Sequence, residues 1–303
     1  MSIHVACGSW ADDEYVGVLY PEKLPPKQRL NGYARWFDHV EVNSTYYAIP
    51  QRSTVEGWIA QTPPSFTFNV KLHRVFSQSP MRAAQSGELV PKLLEAVEPL
   101  VKQKRLAAFF LVMPPSFAPD RRKLAELDLI AEALRPHALA IELRHRGWVT
   151  GAQKEKTLDY FREHCLAWIA VDMPPIKDST LMPAVDVVTD PRCAYFRLHG
   201  RNPHYLEAQT AAEGHTYAYN DAELNEIAER VRRIADQADF VHVVANNHAQ
   251  DFAPKAALAL QKRFGLQPPS PVELDVQGTL FDESAEAQKP TAKGPVKSSR
   301  KKK

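Results

Sequence analysis

Side chains that can do chemistry recur at the ends of short apolar runs in this chain. They comprise carboxylates, cations, carboxamides and one imidazole: Glu41, Asn43, Lys71, Glu142, Arg144, Asp172, Arg197, His199 and Asn247. Carboxylates and imidazole perform general acid–base catalysis, and arginine and lysine hold phosphate or carboxylate groups. We therefore predict two sets of site residues. The predicted catalytic residues are Glu41, Glu142, His199 and Asp172, and the predicted substrate-binding polar residues are Asn43, Lys71, Arg144, Arg197 and Asn247.

Eight apolar runs precede or contain these residues, and most of them are followed by a stretch with helical periodicity. The runs are Ile3–Ser9, His39–Ser44, Phe66–Lys71, Ala107–Met113, Leu139–Arg144, Leu166–Asp172, Ala194–His199 and Phe240–Asn246. Buried strands that alternate with helices form a parallel sheet, and eight such units predict an α/β fold, a (β/α)8 TIM-type barrel. The carboxyl ends of the strands form the active-site rim in that fold, so we expect the polar side chains to converge there.

Side chains along a strand alternate between two faces, and this alternation refines the expectation. Glu41 and Asn43 share one face of the second run, and Glu142 and Arg144 share one face of the fifth. We expect both pairs to point into the barrel near its C-terminal end. The alternative is structural, because opposite charges could neutralise each other in a packed interior.

The helical stretches carry a few boundary signals. Asp221 precedes a stretch with an apolar stripe and is the predicted N-cap of that helix, and Gly265 is the predicted stop of the last helix.

An anionic ligand fits the predicted rim better than a metal ion does. Lys71, Arg144 and Arg197 would repel a cation, and no HxH or HExxH spacing is present. We therefore predict no metal and no cofactor at the rim. A Schiff base on Lys71 is disfavoured, because nearby Glu41 and Glu142 would keep the amine protonated.

Aromatic residues flank the predicted strand ends. We predict that Trp10, Tyr46 and Trp148 stack on a sugar or base of the substrate, with loop packing as the alternative. Two functions stay open. The first is an enzyme, a hydrolase or a phosphodiester-acting enzyme, with a small or nucleic-acid-derived anionic substrate. The second is a non-catalytic protein that binds an anionic ligand.

A series of motifs runs through the barrel region in order. It includes Gly8-Ser9-Trp10, Val40-Glu41-Val42-Asn43-Ser44-Thr45-Tyr46-Tyr47, Phe66-Thr67-Phe68-Asn69-Val70-Lys71, Glu142-Leu143-Arg144-His145-Arg146-Gly147-Trp148, Tyr195-Phe196-Arg197-Leu198-His199-Gly200 and Asn246-Asn247. Over residues 3–264 these motifs resemble the YecE-like family, domain of unknown function 72. The resemblance implies a TIM barrel and supplies no reaction. Some members carry a Thr-His pair after the third strand, where this chain has Leu72-His73.

The composition changes near residue 267. We predict a barrel domain over 1–266 and a disordered basic tail over 267–303, interrupted by a short apolar motif at 276–281. The formal net charge of +2 is too small to indicate bulk nucleic-acid or membrane binding. Three scattered cysteines do not form a disulfide framework, and no signal peptide or membrane-spanning run is present, so a cytoplasmic location is expected.

The apolar motif in the tail resembles the peptide by which bacterial replication and repair proteins dock on the DNA sliding clamp. Gln277, Leu280 and Phe281 match the glutamine and the apolar pair of that peptide. The resemblance implies a possible clamp-associated accessory role in DNA repair, with the apolar pair inserted into a surface pocket. The alternative is that this segment packs back on the barrel.

The docking hypothesis predicts that a peptide of residues 270–290 binds a purified bacterial sliding clamp. Leu280→Ala and Phe281→Ala together should abolish the binding, because the apolar pair supplies the buried contact. Fluorescence anisotropy of the labelled peptide measures it. No binding by the unsubstituted peptide contradicts the hypothesis.

Overall fold

The computed structural model describes residues 2–247 and 249–269. Gln277, Leu280 and Phe281 lie outside the described residues, so the docking hypothesis stays a prediction. Within the described part of the chain, no helix combines the length and apolarity needed to cross a membrane.

Eight parallel strands form a nearly closed barrel, as the apolar runs predict. They are β1 Ser2–Cys7, β2 His39–Val42, β3 Thr67–Lys71, β4 Leu106–Val112, β5 Leu139–Glu142, β6 Leu166–Asp172, β7 Ala194–Leu198 and β8 Phe240–Ala245. Each strand begins and ends within two residues of its predicted run. The strand order is β1-β8-β7-β6-β5-β4-β3-β2, and every ladder is parallel.

Helices surround the barrel and connect most consecutive strands, whereas an irregular segment without a helix joins β6 to β7. They are α1 Arg29–Tyr33, α2 Arg52–Ala60, α3 Arg74–Gln78, α4 Pro80–Gln85, α5 Leu89–Lys102, α6 Asp128–Ala133, α7 Gln153–Glu163, α8 Ala211–Gly214, α9 Asp221–Ala235 and α10 Phe252–Arg263. Gly265 has φ +68° just past α10, a backbone conformation that glycine adopts without strain, so the predicted stop is confirmed.

The predicted N-cap of α9 is wrong by one residue. Asn220 is the cap, because its side chain accepts a hydrogen bond from the backbone N–H of Glu223 at 3.0 Å. The Glu223 carboxylate accepts from the backbone N–H of Asn220 in return, at 2.9 Å. This reciprocal capping box places Asp221 inside the first turn.

Side chains bridge β1 and β2, which no ladder joins among the described residues. The buried Tyr33 hydroxyl accepts from the backbone N–H of Cys7 at 2.9 Å. The same hydroxyl lies 3.3 Å from the Cys7 carbonyl oxygen and 3.2 Å from that of His39. At the C-terminal end, the Asn43 amide donates to the Gly8 carbonyl. These contacts satisfy backbone groups that a ladder would otherwise pair.

The middle of the barrel interior is polar rather than filled by aliphatic side chains. Tyr195 on β7 crosses the interior, and its hydroxyl donates to Glu41 on β2 at 2.8 Å. The same hydroxyl accepts from the Asn69 amide of β3 at 3.1 Å. Tyr195 therefore holds Glu41 and Asn69 in place beneath the side chains at the C-terminal end of the barrel.

We expect Tyr33→Phe to lower the free energy of unfolding by about 1–3 kcal/mol, since it leaves buried backbone groups of β1 and β2 without their partner. Denaturant unfolding measures the change. Tyr47→Phe is the matched control, because Tyr47 is 72% exposed. Equal stability of the two variants would contradict a bridging role for Tyr33.

Candidate active site

Arg197 lies at the centre of the cluster at the C-terminal end of the barrel. It is on β7, 2% exposed, and its guanidinium contacts both predicted catalytic glutamates. Nη1 donates to Glu142 Oε2 at 2.6 Å, and Nη2 donates to Glu41 Oε2 at 2.8 Å. Nη2 also donates to Asn246 Oδ1 at 2.9 Å. The guanidinium of this β7 residue thus links β7 to β2, to β5 and to the residue that follows β8.

Both glutamates are fully buried, and both are satisfied by the protein. Glu41 accepts from the Tyr195 hydroxyl in addition to Arg197. Glu142 accepts from Arg144 Nε at 2.7 Å, and the same carboxylate oxygen lies 3.2 Å from His199 Nε2. Burial opposes ionisation of Glu142, but His199, Arg144 and Arg197 outweigh it and hold the pKa of this carboxyl well below its ordinary range.

Asn246 sets the orientation of His199. Because the Asn246 amide oxygen faces Arg197, its amide nitrogen faces His199 Nδ1 at 3.1 Å and donates to it. The proton of the neutral ring then sits on Nε2, toward Glu142. Burial lowers the pKa of His199, and the Glu142 charge only partly offsets that effect.

Lys71 reaches the same end of the barrel from β3. Its Nζ donates to Asn43 Oδ1 at 3.0 Å and lies 4.8 Å from the centre of the Tyr46 ring, a cation–π distance. The Asn43 amide is held in turn by Gly8 across the seam between β1 and β2. The hydrogen bond of Asn43 to Gly8 across this seam therefore helps to position Lys71.

The ionisation of Lys71 differs from the sequence-based expectation. Burial, together with the positive charge of Arg197, lowers the pKa of Lys71 to about 8. Glu41 and Glu142 act in the expected direction but are outweighed, since Arg197 and Arg144 neutralise them. Lys71 remains mainly protonated at pH 7 but titrates close to it.

A cavity of about 440 Å³ opens above this cluster at the barrel mouth. Its polar lining comes from strand ends and neighbouring loops: Asn43, Tyr46, Lys71, Ser77, Arg144, Arg197, His215 and Asn246. The two glutamates do not line it and lie beneath its floor. Three cations and two carboxylates meet here, so the cluster carries one uncompensated positive charge that faces the cavity.

Asp172 does not join the cluster, and its predicted place at the rim is wrong. The β6–β7 register pairs Val171 with Arg197, so Val171 faces the interior and Asp172 faces the helices. Its carboxylate accepts from Arg230 on α9 at 2.6 Å and from Arg201 at 2.7 Å. Asp172 thereby lines a separate cavity of about 580 Å³ beside α9.

Three other predicted contacts lie away from the mouth cavity. Asn247 is buried and donates to the Tyr217 carbonyl at 2.8 Å. Trp148 stacks on Phe117, and Trp10 packs edge-on against Trp58, as in ordinary loop packing. Of the three predicted aromatic contacts, Tyr46 alone lines the mouth.

Sequence reasoning missed Tyr195, Asn246 and His215. The alternation of side chains is sufficient to find Asn246. Val244 pairs with Arg197, and Asn246, two residues after Val244, lies on the same face as Val244. Tyr195 stands two residues before Arg197 and shares its face by the same alternation. His215 comes from the loop after β7, which has no periodicity that places a side chain.

Comparison with known families supports this fold across the chain. The family described as "Protein of unknown function DUF72" matches residues 4–277. UPF0759 protein YunF of Bacillus subtilis is 24% identical over 255 residues, which cover 82% of this chain and 89% of YunF. UPF0759 protein YecE of Escherichia coli is 32% identical over 132 residues, which cover 43% of this chain and 46% of YecE.

Solved structures with the same fold come from two bacteria. A DUF72 family protein of Enterococcus faecalis superposes with a TM-score of 0.81 at 28% identity, over 90% of this chain and 100% of that one. A DUF72 family protein of Thermotoga maritima gives a TM-score of 0.75 at 29% identity, over 88% of this chain and 100% of that one.

We expect acid to destabilise the protein partly through Glu142. Its pKa is lower in the folded chain than in the unfolded one, so its stabilising effect is full above the ordinary carboxyl range and is lost as the pH falls toward the folded value. Glu142→Gln should cost about 3 kcal/mol at pH 7 and flatten the decline of stability below pH ~4. Denaturant unfolding at several pH values tests this.

Glu95→Gln serves as the control for that series, because Glu95 is exposed on α5. It should leave both the stability at pH 7 and the acid slope unchanged. An acid slope that is the same in wild type and Glu142→Gln would show that Glu142 is not held ionised by its neighbours.

Proposed function

This chain belongs to the DUF72 family, and we propose that it is an enzyme that acts on a small anionic substrate at the C-terminal mouth of the barrel. One observation carries the proposal: the mouth cavity is lined by three cations, whose charge exceeds that of the two carboxylates beneath them. An excess positive charge that faces a cavity attracts an anion, and a phosphate or carboxylate group supplies the matching negative charge.

Arg144 and Lys71 are the groups that would hold the anion. Arg144 uses Nε for Glu142, and its terminal nitrogens have no hydrogen-bond partner among the described residues. Such a planar pair of donors fits a phosphate or carboxylate. Lys71 adds a second positive charge to the lining of the same cavity. Arg197 itself is hydrogen-bonded to the two glutamates, so it contributes mainly the electrostatic attraction of its positive charge.

Lys71 is the proposed proton donor. Among the cavity-lining groups it has a pKa lowered to about 8, which suits proton transfer near neutral pH. Glu41 and Glu142 then act as counter-ions that hold Arg197 and Arg144 in place, and His199 orients Glu142. This proposal moves the acid–base role from the two glutamates to the lysine.

Hydrolysis of a phosphoester is the reaction class that these groups serve best. The oxygen of an incoming water forms a bond to phosphorus as the bond from phosphorus to the ester oxygen breaks. The Lys71 ammonium donates its proton to the departing oxygen, and the attacking water loses a proton to solvent. Arg144 would stabilise the charge on the remaining phosphoryl oxygens.

A second candidate function is binding without turnover. The observation that favours it is that every carboxylate of the cluster is already engaged, Glu41 by Tyr195 and Arg197, and Glu142 by Arg144 and Arg197. Neither carboxylate is then available to act on a substrate, and catalysis depends on Lys71 alone.

We expect inorganic phosphate to bind one site per chain, and Lys71→Met and Arg144→Gln each to weaken this binding at least about tenfold, because each removes a charge-assisted contact. Calorimetric titration at low ionic strength measures the affinity. Arg121→Gln is the control, since Arg121 is 77% exposed and is not among the residues that line the mouth cavity. Equal affinity in all four proteins would contradict the proposed site.

Lys71→Arg separates the two candidate functions. It retains the positive charge, so phosphate binding should persist, but its high pKa removes the titration near pH 8. We expect the wild type to hydrolyse p-nitrophenyl phosphate or bis(p-nitrophenyl) phosphate and the variant to lose at least about 100-fold in rate. Phosphate binding with no hydrolysis of either probe by the wild type would favour the binding function.

A further inference from the structure

A second polar cluster lies at the opposite, N-terminal end of the barrel. It joins His4 on β1 to Asp38 and His39 at the start of β2. His4 Nδ1 lies 2.7 Å from one oxygen of the Asp38 carboxylate, and His39 Nδ1 lies 3.3 Å from the other. One ligand atom from each of the three residues falls within 4.8 Å of the other two. None of these residues takes part in the site at the mouth.

The imidazoles of this cluster have more hydrogen-bonding capacity than the protein satisfies. His39 is fully buried, and its Nε2 has no partner among the described residues. His242 on β8 is 4% exposed, its ring lies 5.0 Å from that of His39, and its Nδ1 is also without a partner.

We propose that His4, Asp38 and His39 bind a divalent transition-metal ion, and that zinc is the ion that fits best. Two imidazole nitrogens and one carboxylate oxygen are ligands that zinc accepts, with a fourth position left for water. The site has access to solvent, because the side chain of Asp38 is 40% exposed and that of His4 is 23% exposed.

Metal binding requires a small rearrangement. Ligand atoms around a tetrahedral zinc stand about 3.3 Å apart, given metal–ligand distances of about 2.0–2.1 Å. The two imidazole contacts reach different oxygens of the Asp38 carboxylate, at 2.7 Å from His4 and 3.3 Å from His39, so the side chains must shift to bring both imidazole nitrogens to that spacing from a single oxygen. With Nδ1 on the metal ion, His4 Nε2 carries the ring N–H and can donate to the Ser2 hydroxyl oxygen, which lies 3.0 Å away.

The position of this cluster indicates what the ion would do. β1 and β2 are the neighbouring strands that no ladder joins among the described residues, and the cluster spans them at the N-terminal end. Hydrogen bonds of the Tyr33 hydroxyl also link these two strands, at Cys7 of β1 and His39 of β2. The N-terminal face of a TIM barrel serves stability, so the ion would hold the seam closed and not take part in chemistry at the mouth.

The test uses the full chain after chelator treatment and dialysis. Calorimetric titration with Zn²⁺ should give one ion per chain, and Co²⁺ should give the visible absorption bands of tetrahedral coordination. Zinc at about 100 times its dissociation constant should raise the Tm by about 5 °C. Asp38→Asn and His4→Gln should each weaken Zn²⁺ binding at least about tenfold and remove the Tm shift. His4 is partly exposed, so His4→Gln decides the matter should Asp38→Asn fail to fold.

Two control variants locate the site. His164→Gln removes another histidine that lies near an aspartate, 3.5 Å from Asp128, and should leave Zn²⁺ binding unchanged. Lys71→Met should also leave it unchanged, which separates this site from the one at the mouth. Failure to bind Zn²⁺, or binding that persists with unchanged affinity in folded His4→Gln, overturns the proposal. Neither result bears on phosphate binding at the mouth.

Discussion

The arrangement at the barrel mouth depends on one guanidinium placed between two buried carboxylates. Neither Glu41 nor Glu142 could remain ionised in the interior without a partner, because an unpaired buried charge is costly. Arg197 satisfies both and ties together strands from opposite sides of the barrel. Because Arg144, Arg197 and Lys71 outnumber the two carboxylates by one, one positive charge is left in excess at the mouth. The preference for an anion follows from this imbalance.

The convergence of the mouth residues could be predicted from the sequence because a strand has a period of two. Apolar runs that end in polar residues identify the strands, and the alternation of side chains along each strand puts Glu41, Glu142 and Arg197 on the interior surface. Asp172 and Asn247 were predicted from the ends of their runs alone, without the alternation. Asp172 and Asn247 each stand one residue away from an interior position, and a shift of one residue moves a side chain from the barrel interior to the helix side.

The chemistry of the site could not be predicted in the same way. Whether a glutamate is free or engaged depends on which cation the closed barrel places beside it, and the pKa of Lys71 depends on how deeply that lysine is buried. The sequence also cannot show whether a tryptophan binds a ligand, because Trp148 has the same ring in a packed loop as it would have in a binding site. The cluster of His4, Asp38 and His39 could not be predicted from strand ends, because it lies at the N-terminal end of the barrel and its members meet only when β1 and β2 become neighbours.

The most direct test of the account is a crystal structure of the protein grown with phosphate. We predict electron density for one phosphate in the mouth cavity, with its oxygens within hydrogen-bond distance of Lys71 Nζ and the terminal nitrogens of Arg144. A mouth that holds only water under these conditions, or one in which a carboxylate side chain occupies that position, would contradict the claim that the cluster presents an uncompensated positive charge.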